Sequence, residues 1–264
     1  MSSYLFRAKT TEGHVFKVLG ELLHSNIKTG CFEISKKGVF FKMTDSHLRI
    51  CIDIALYSDN FMMYNFERTE SMFIGINLTH FKKMLKPIKK KDSIELIVHA
   101  DDLENLCIKI IPKEGGKMTT SFIKIQNIQN IDLELPDGYK DYIAIPASDY
   151  QKMCKDMESI SQNIEIKATK TTIRFSADMS CVYSRSILFG EGNDDDQDII
   201  YCQHFESSKM NNLGKISGLG ASTVNHIQIY FNKSLPILFK TNVGTLGKIG
   251  IYIKSKEQIE NIND

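Results

Sequence analysis

A chain of 264 residues, 42% of them hydrophobic, can bury a core of its own, which excludes a disordered polymer as its resting state. No apolar run approaches the roughly 18 residues a membrane-spanning helix needs, and the opening MSSYLFRAKT lacks the apolar centre of a secretory leader, so an intracellular protein is expected. Basic residues number 33 against 32 acidic ones, a formal net charge of +1, so attraction to a polyanion can come only from charge segregated onto one surface.

In chain order, Val15, Val18, Leu19 and Leu22 keep the spacing of an amphipathic helix. The β-rich runs CFEI (31–34), VFFKM (39–43), LRICIDIAL (48–56) and FIGI (73–76) follow. Phe81, Met84, Leu85 and Ile88 form a second helical stripe, which Pro87 should end near Lys86. After IELIV (94–98) and LCIKII (106–111), the stretch MTTSFIKIQNIQNIDLELPDGYKDY (118–142) mixes amides with Pro136 and Gly138 and reads as an extended connector. Tyr150, Met153, Cys154 and Met157 mark a third helix, followed by IEIKA (164–168), IRFSA (173–177) and VYSRSIL (182–188). A fourth, weaker helical run passes through Lys209, Met210, Leu213 and Lys215, interrupted by Gly214. IQIYF (227–231), ILFK (237–240) and IGIYI (249–253) close the series.

The first half of this order recurs in the second. Phe41 with Phe175 and Phe16 with Tyr150 stand at one constant offset along the chain, and Ile94 with Ile227 within one residue of it. The expected fold is therefore α+β, with two tandem similar domains of β-sheet packed with two helices each: residues 1–117, a connector at 118–139, and residues 140–264.

Six cysteines, at 31, 51, 107, 154, 181 and 202, contain no CxxC pair, which argues against a zinc site or a disulfide framework and for reduced, mostly buried thiols. The sequons at Asn77 and Asn232 carry no meaning outside the secretory route. GEGNDDDQD (190–198) lacks the terminal glutamate spacing of a calcium loop and reads as a solvated turn. LGKISGLG (213–220) lacks the hydroxyl residue after its lysine that a phosphate-cradling loop requires, and no nucleophile elbow or zinc-protease helix is present. An enzyme finds little support, and no cofactor or metal is expected.

The charge is segregated on the helices. NLTHFKKMLKPIKKK (77–91) holds six lysines and no acidic residue. An apolar stripe turned to a sheet leaves Lys82, Lys83 and Lys86 on the open face. Lys17 lies off the first stripe, Lys152 and Lys155 off the third, and Lys209 and Lys215 flank the fourth. Lysine is common on any solvated helix face, and that plain reading competes helix by helix. The joint pattern favours a surface facing phosphates, since acidic residues are thin there, with Glu21, Asp156, Glu158 and Glu206 as the exceptions. The absence of interleaved aromatics points to duplex held by charge rather than to stacked single strands.

The strings FRAKTTEGHVFKVLGELL, GVFFKMTDSHLRICIDI, MFIGINLTHFKKMLK, YIAIPASDYQKMCKDM and SLPILFKTNVGTLGKIGIYIKSK, in this order and over most of the chain, resemble the proliferating cell nuclear antigen family of DNA sliding clamps, with a large-DNA-virus or protist member in view. The resemblance implies a DNA clamp fold, a homotrimeric ring closed head to tail, and double-stranded DNA running through the hole past Lys17, Lys82, Lys83, Lys86, Lys152, Lys155, Lys209 and Lys215. DNA polymerase, a clamp loader ATPase and proteins carrying a clamp-binding peptide motif are the partners it implies, in replication and repair, in the nucleus or a viral replication compartment. The peptide pocket it implies is lined here by Met43, His47, Ile50, Leu133, Leu135, Pro236 and Tyr252, and Lys170 matches a lysine that relatives modify with ubiquitin. A clamp-like subunit of a hetero-oligomeric ring, or an accessory factor in transcription or damage signalling, is the alternative. The chain departs from the family in being near neutral, in carrying amides in its connector and in having Ser255 where a proline is usual.

Overall fold

The computed structural model describes residues 4–129, 133–179, 182–192, 199–220 and 225–261. Cys181, part of the connector and most of the acidic turn at 190–198 lie outside them. The chain divides into two compact units. Unit 1 comprises Met1–Asp45, Ile52–Leu133 and Asn242–Ile249, and unit 2 comprises Ser46–Cys51, Glu134–Thr241 and Gly250–Asp264.

Unit 1 runs β1 (Tyr4–Thr10), α1 (Gly13–Asn26), β2 (Thr29–Ser35), β3 (Gly38–Thr44), β4 (Ile50–Tyr57), β5 (Met63–Phe66), β6 (Met72–Asn77), α2 (Leu78–Leu85), β7 (Ser93–His99), β8 (Asp102–Ile111) and β9 (Thr119–Lys124). Strands β5-β1-β7-β8-β9 form one sheet, and β4-β3-β2-β6 are successive neighbours in a second. Alternation builds the core: β1 buries Phe6 and Ala8, and β4 buries Ile52, Ile54 and Leu56, each with intervening residues turned outward. Phe32 and Phe41 face each other in the β2–β3 register with ring centroids 4.9 Å apart, and Phe81 of α2 packs on Phe32 at 6.0 Å. Burial of a side chain such as Phe41 contributes roughly 1.5–3 kcal/mol. The two helices approach closely at Gly20, where a Cβ would come within 2.9 Å of Leu85.

Unit 2 repeats the scheme with β10 (Tyr142–Pro146), α3 (Ala147–Glu158), β11 (Asn163–Ala168), β12 (Thr172–Met179), β13 (Tyr183–Gly190), β14 (Tyr201–Glu206), α4 (Ser207–Leu213), β15 (His226–Tyr230), β16 (Ile237–Val243), β17 (Gly247–Ile253) and α5 (Lys256–Glu260). Its strand orders β13-β12-β11-β14 and β10-β15-β16-β17 match β4-β3-β2-β6 and β1-β7-β8-β9 position for position. The offset residues therefore fall on equivalent elements: Phe41 on β3 and Phe175 on β12, Phe16 on α1 and Tyr150 on α3, Ile94 on β7 and Ile227 on β15. All six are buried. Tyr150 is the centre of the second core, with Phe239 at 5.5 Å and Phe175 at 6.2 Å, and its hydroxyl donates to Met210 O.

Four differences from expectation have local causes. Thr119–Lys124 is a strand hydrogen-bonded to β8, not connector: its polar residues face solvent while Ile123 is buried. The strand expected from residue 48 begins at Ile50, because Leu48 takes a left-handed φ of 54°, outside the extended region. Helix α4 ends at Leu213 and passes into a 3-10 turn, Gly214–Leu219, so Lys215 is not on it. A fifth helix follows β17, started by a reciprocal cap in which Ser255 Oγ accepts from Gln258 N (3.2 Å) and Gln258 Oε1 accepts from Ser255 N (3.0 Å). Among the described residues no helix is long and apolar enough to cross a membrane. Of the cysteines described, Cys31, Cys107 and Cys154 are buried thiols, Cys51 is half-buried and Cys202 exposed.

Candidate nucleic-acid and partner surfaces

The phase of α2 decides where its lysines go. Asn77 Oδ1 accepts from Thr79 N (2.9 Å) and His80 N (3.2 Å), fixing the first turn. Leu78, Phe81 and Leu85 then face the core. Lys83 and Lys86 are left exposed, and neither ammonium has a partner among the described residues. Lys82 is half-buried, with Nζ 3.4 Å from His24 Nδ1 of α1. Lys17 serves a different end: its Nζ donates to Lys86 O (3.0 Å) and Ile88 O (3.2 Å), so it caps the carbonyl end of α2 instead of standing free.

In unit 2, Lys152 and Lys155 are exposed on α3, Lys152 lying 3.7 Å from Asp149. Lys209 on α4 and Lys215 on the 3-10 turn are half-buried. Three of the four acidic residues on these faces are already engaged. Asp156 pairs with Arg185 (3.2 Å), Glu206 pairs with Arg49 (3.2 Å), and Glu158 accepts from Asn211 Nδ2. The charges of Asp156 and Glu206 are partly offset by their arginines before any phosphate approaches, an effect the sequence does not display. Among the described residues no group of three or more His, Cys, Asp or Glu could hold a metal.

The residues expected to take a partner peptide divide between the units. In unit 1, Met43 is half-buried with its sulfur accepting from Cys31 N (3.0 Å), and Leu133 is half-buried with its carbonyl accepting from Lys42 Nζ (3.0 Å). In unit 2, His47 is exposed, Leu135 and Pro236 are half-buried and Tyr252 is buried with 7% exposure. Ile50 has 0% exposure and belongs to the core, not to a surface, because it is the first inward residue of β4. The apolar side chain offered outward there is Leu48, 60% exposed on the left-handed residue.

Two unit 2 residues missed from sequence hold this surface in place. The Tyr139 hydroxyl donates to Pro236 O, and its ring lies 6.3 Å from Tyr252 and 6.1 Å from Tyr230. Burial pushes the Tyr139 phenol well up, so it remains a donor. Gln258 Nε2 donates to Leu235 O (2.8 Å), tying α5 beside Pro236. Only the SxxQ cap of α5 could have signalled that contact. Lys170 is exposed at the tip of the β11–β12 hairpin.

Strands β9 and β13 are among those that end a sheet. Strand β9 ends its sheet with Phe122 59% exposed, and β13 ends the four-stranded sheet with Tyr183 and Leu188 exposed. The counterpart of β13 in unit 1 is not open: beyond β3, Tyr57 N of β4 donates to Leu246 O.

Comparison with known proteins agrees with this architecture in both halves. Residues 5–134 match the model of the proliferating cell nuclear antigen N-terminal domain, and residues 134–256 match that of the C-terminal domain. A protein of Paramecium bursaria Chlorella virus 1 named "Probable DNA polymerase sliding clamp 1" is 24% identical over 257 residues, 94% of this chain and 96% of the relative. The crystal structure of proliferating cellular nuclear antigen from Entamoeba histolytica superposes with a TM-score of 0.81 at 20% identity, covering 96% of this chain and all of that one. With both domain models matched in sequence order across nearly its whole length, the chain belongs to the proliferating cell nuclear antigen family.

Proposed function

We propose that the protein is a DNA sliding clamp and polymerase processivity factor, acting as a ring of three copies around duplex DNA. The observation that carries the reading is the lysine surface of α2. Lys83 stands exposed on a helix whose phase is set by the Asn77 cap and Lys86 at its C-cap, and Lys155 stands exposed on α3, the leading helix of unit 2. Exposed ammonium groups without base-reading side chains attract phosphates non-specifically and release them readily. Retention then comes from ring closure, not from affinity. Members of this family are scaffolds without chemistry of their own, and no catalytic step is assigned to this chain. Its place of action is where DNA is replicated, the nucleus or a viral replication compartment.

Ring closure has a physical route. The open β9 edge of one copy and the open β13 edge of the next are unlike surfaces, so their pairing is heterologous and can close a cycle. DNA polymerase, a loader ATPase and other proteins bearing a short clamp-binding peptide dock, on this reading, on the unit 2 surface of His47, Leu48, Leu135, Pro236 and Tyr252. Partly exposed apolar side chains on a connector and loop are the ordinary anchor for such a segment.

Topology tests the reading. Loaded onto a circular duplex, the protein is expected to survive a high-salt wash and to be lost when the circle is cut. Lys83→Glu with Lys86→Glu should lower loading several-fold and leave assembly unchanged. Retention that persists on cut DNA would overturn encirclement.

A further inference from the structure

The lysine run of 77–91 continues past α2. Lys89, Lys90 and Lys91, in the loop before β7, share an open concavity of about 530 Å³ with Lys113 and Lys117, from the turn between β8 and β9. The whole site lies within unit 1. All five lysines are exposed. Against them the lining sets two carboxylates, Asp92 and Glu114. Asp92 is committed elsewhere: it is buried, its Oδ2 accepts from Lys89 N (2.9 Å), and its carbonyl accepts from Gly13 N (3.1 Å). Glu114 makes a solvent-exposed pair with Lys91 at 3.6 Å, a contact worth little in water. The ammonium groups of Lys89, Lys90, Lys113 and Lys117 take no partner among the described residues. A chain with a net charge of +1 has thus gathered five cations where neither packing nor ion pairing requires them.

The chemistry of the site narrows its ligand. A single small anion would need convergent, partly buried donors, and these lysines are spread over two exposed loops. An apolar or aromatic peptide anchor would need a deep greasy pocket, and the lining contains no aromatic residue. Spaced, solvated, like charges suit a spaced, solvated polyanion. The site also follows on in sequence from Lys83 and Lys86, the candidate duplex-facing pair, with Pro87 in its lining. We propose that this concavity is a second contact for the phosphodiester backbone of duplex DNA, distinct from the helix faces and extending the lysine track of α2 onto the loops beyond its C-terminal end. This rests on the sliding-clamp reading, which assigns duplex to α2.

Neutralised phosphates appear in the salt dependence, with a log–log slope of roughly −0.9 for each phosphate neutralised. The test is fluorescence anisotropy of a short fluorescein-labelled duplex with the full-length protein, across about 50–200 mM salt. Lys90→Glu with Lys113→Glu and Lys117→Glu should bind at least tenfold more weakly at the low end and flatten the slope by about two units. The solution mass should be unchanged, and the Lys→Gln set should give a smaller shift in the same direction. A slope and affinity equal to those of the unaltered protein overturn the inference while leaving topological retention, and with it the clamp reading, intact. Polyglutamate binding that is lost in the variants while duplex binding is kept also overturns it, assigning the site to an acidic protein segment. Failure of the unaltered protein both to bind duplex and to be retained on circles overturns this inference together with the reading beneath it.

Discussion

Lysine has two uses in unit 1 that sequence alone does not separate. Lys17 and Lys83 both lie off an apolar stripe, yet Lys17 spends its ammonium on two carbonyl oxygens and Lys83 spends none. Which lysine is which depends on how α1 and α2 lie together, fixed by the close approach at Gly20. The partner surface poses the same problem. Leu48 and Ile50 are near neighbours in an apolar run, but a left-handed φ at Leu48 turns one outward while the strand buries the other. Leu48→Ala with Leu135→Ala is therefore expected to weaken binding of a clamp-binding peptide by about 1–3 kcal/mol, roughly 5- to 150-fold. Ile50→Val should leave affinity alone and cost roughly 0.5–1.5 kcal/mol of stability. Isothermal titration with such a peptide, beside thermal unfolding, separates the two. Equal affinity for the unaltered protein and the double variant would remove the pocket from Leu48 and Leu135.

At the scale of elements, strong periodicity was legible and weak periodicity was not. The stripes of α1 and α3 appear in the structure as expected, because apolar residues recur there every three or four positions, whereas that of α2 holds at Phe81 and Leu85 but leaves Met84 half-buried and Ile88 beyond the helix end. Strand β5 has four residues and β9 only one buried side chain, too little pattern to distinguish strand from loop. Helix α5 is held by electrostatics more than by an apolar stripe, since it buries no residue completely. Glu257 accepts from His204 N at 3.1 Å and from His204 Nδ1 at 2.6 Å, joining α5 to β14. Partial burial pushes the Glu257 carboxyl up, but the hydrogen bonds from His204 and nearby groups outweigh it and leave the net shift downward. A depressed carboxyl stabilises the folded state above its unfolded pKa and loses that contribution as pH falls through the lower, folded value. Acidification through the carboxylate range should therefore loosen α5 before the cores melt, and Glu257→Gln should flatten that pH dependence. Hydrogen exchange of the 255–261 amides from neutral to acid pH measures it. Exchange equally pH-dependent in Glu257→Gln would place the titration elsewhere.

For the whole molecule, duplication was the most readable property, because a repeated core repeats its large residues. Phe41 and Phe175 announce equivalent strands without any structure. What the repeat could not announce is which edges stay open, since that depends on which neighbours each strand acquires. The unequal fates of β4 and β13, one flanked on both sides and the other on one, become visible only in the sheet order. If β9 and β13 join neighbouring copies, a ring of three 30.1 kDa chains has a solution mass near 90 kDa. Phe122→Asp, at an exposed position on β9, should bring it to the single-chain mass while leaving circular dichroism unchanged. Light scattering after size exclusion decides it. A variant that keeps the mass of three chains would show that this edge is not the joint.

The capping of α2 by Lys17 bears on friction. A helix clamped at its start by Asn77 and at its end by an ammonium from α1 is a stiff rail. The charges on it move by side-chain rotamer hops, on a scale of roughly picoseconds to nanoseconds for exposed residues. If the duplex runs past α2 as proposed, its phosphates meet fast and shallow attractions there and need wait for no backbone to rearrange. The speed of travel is then set by drag on the ring and not by the grip of the lysines.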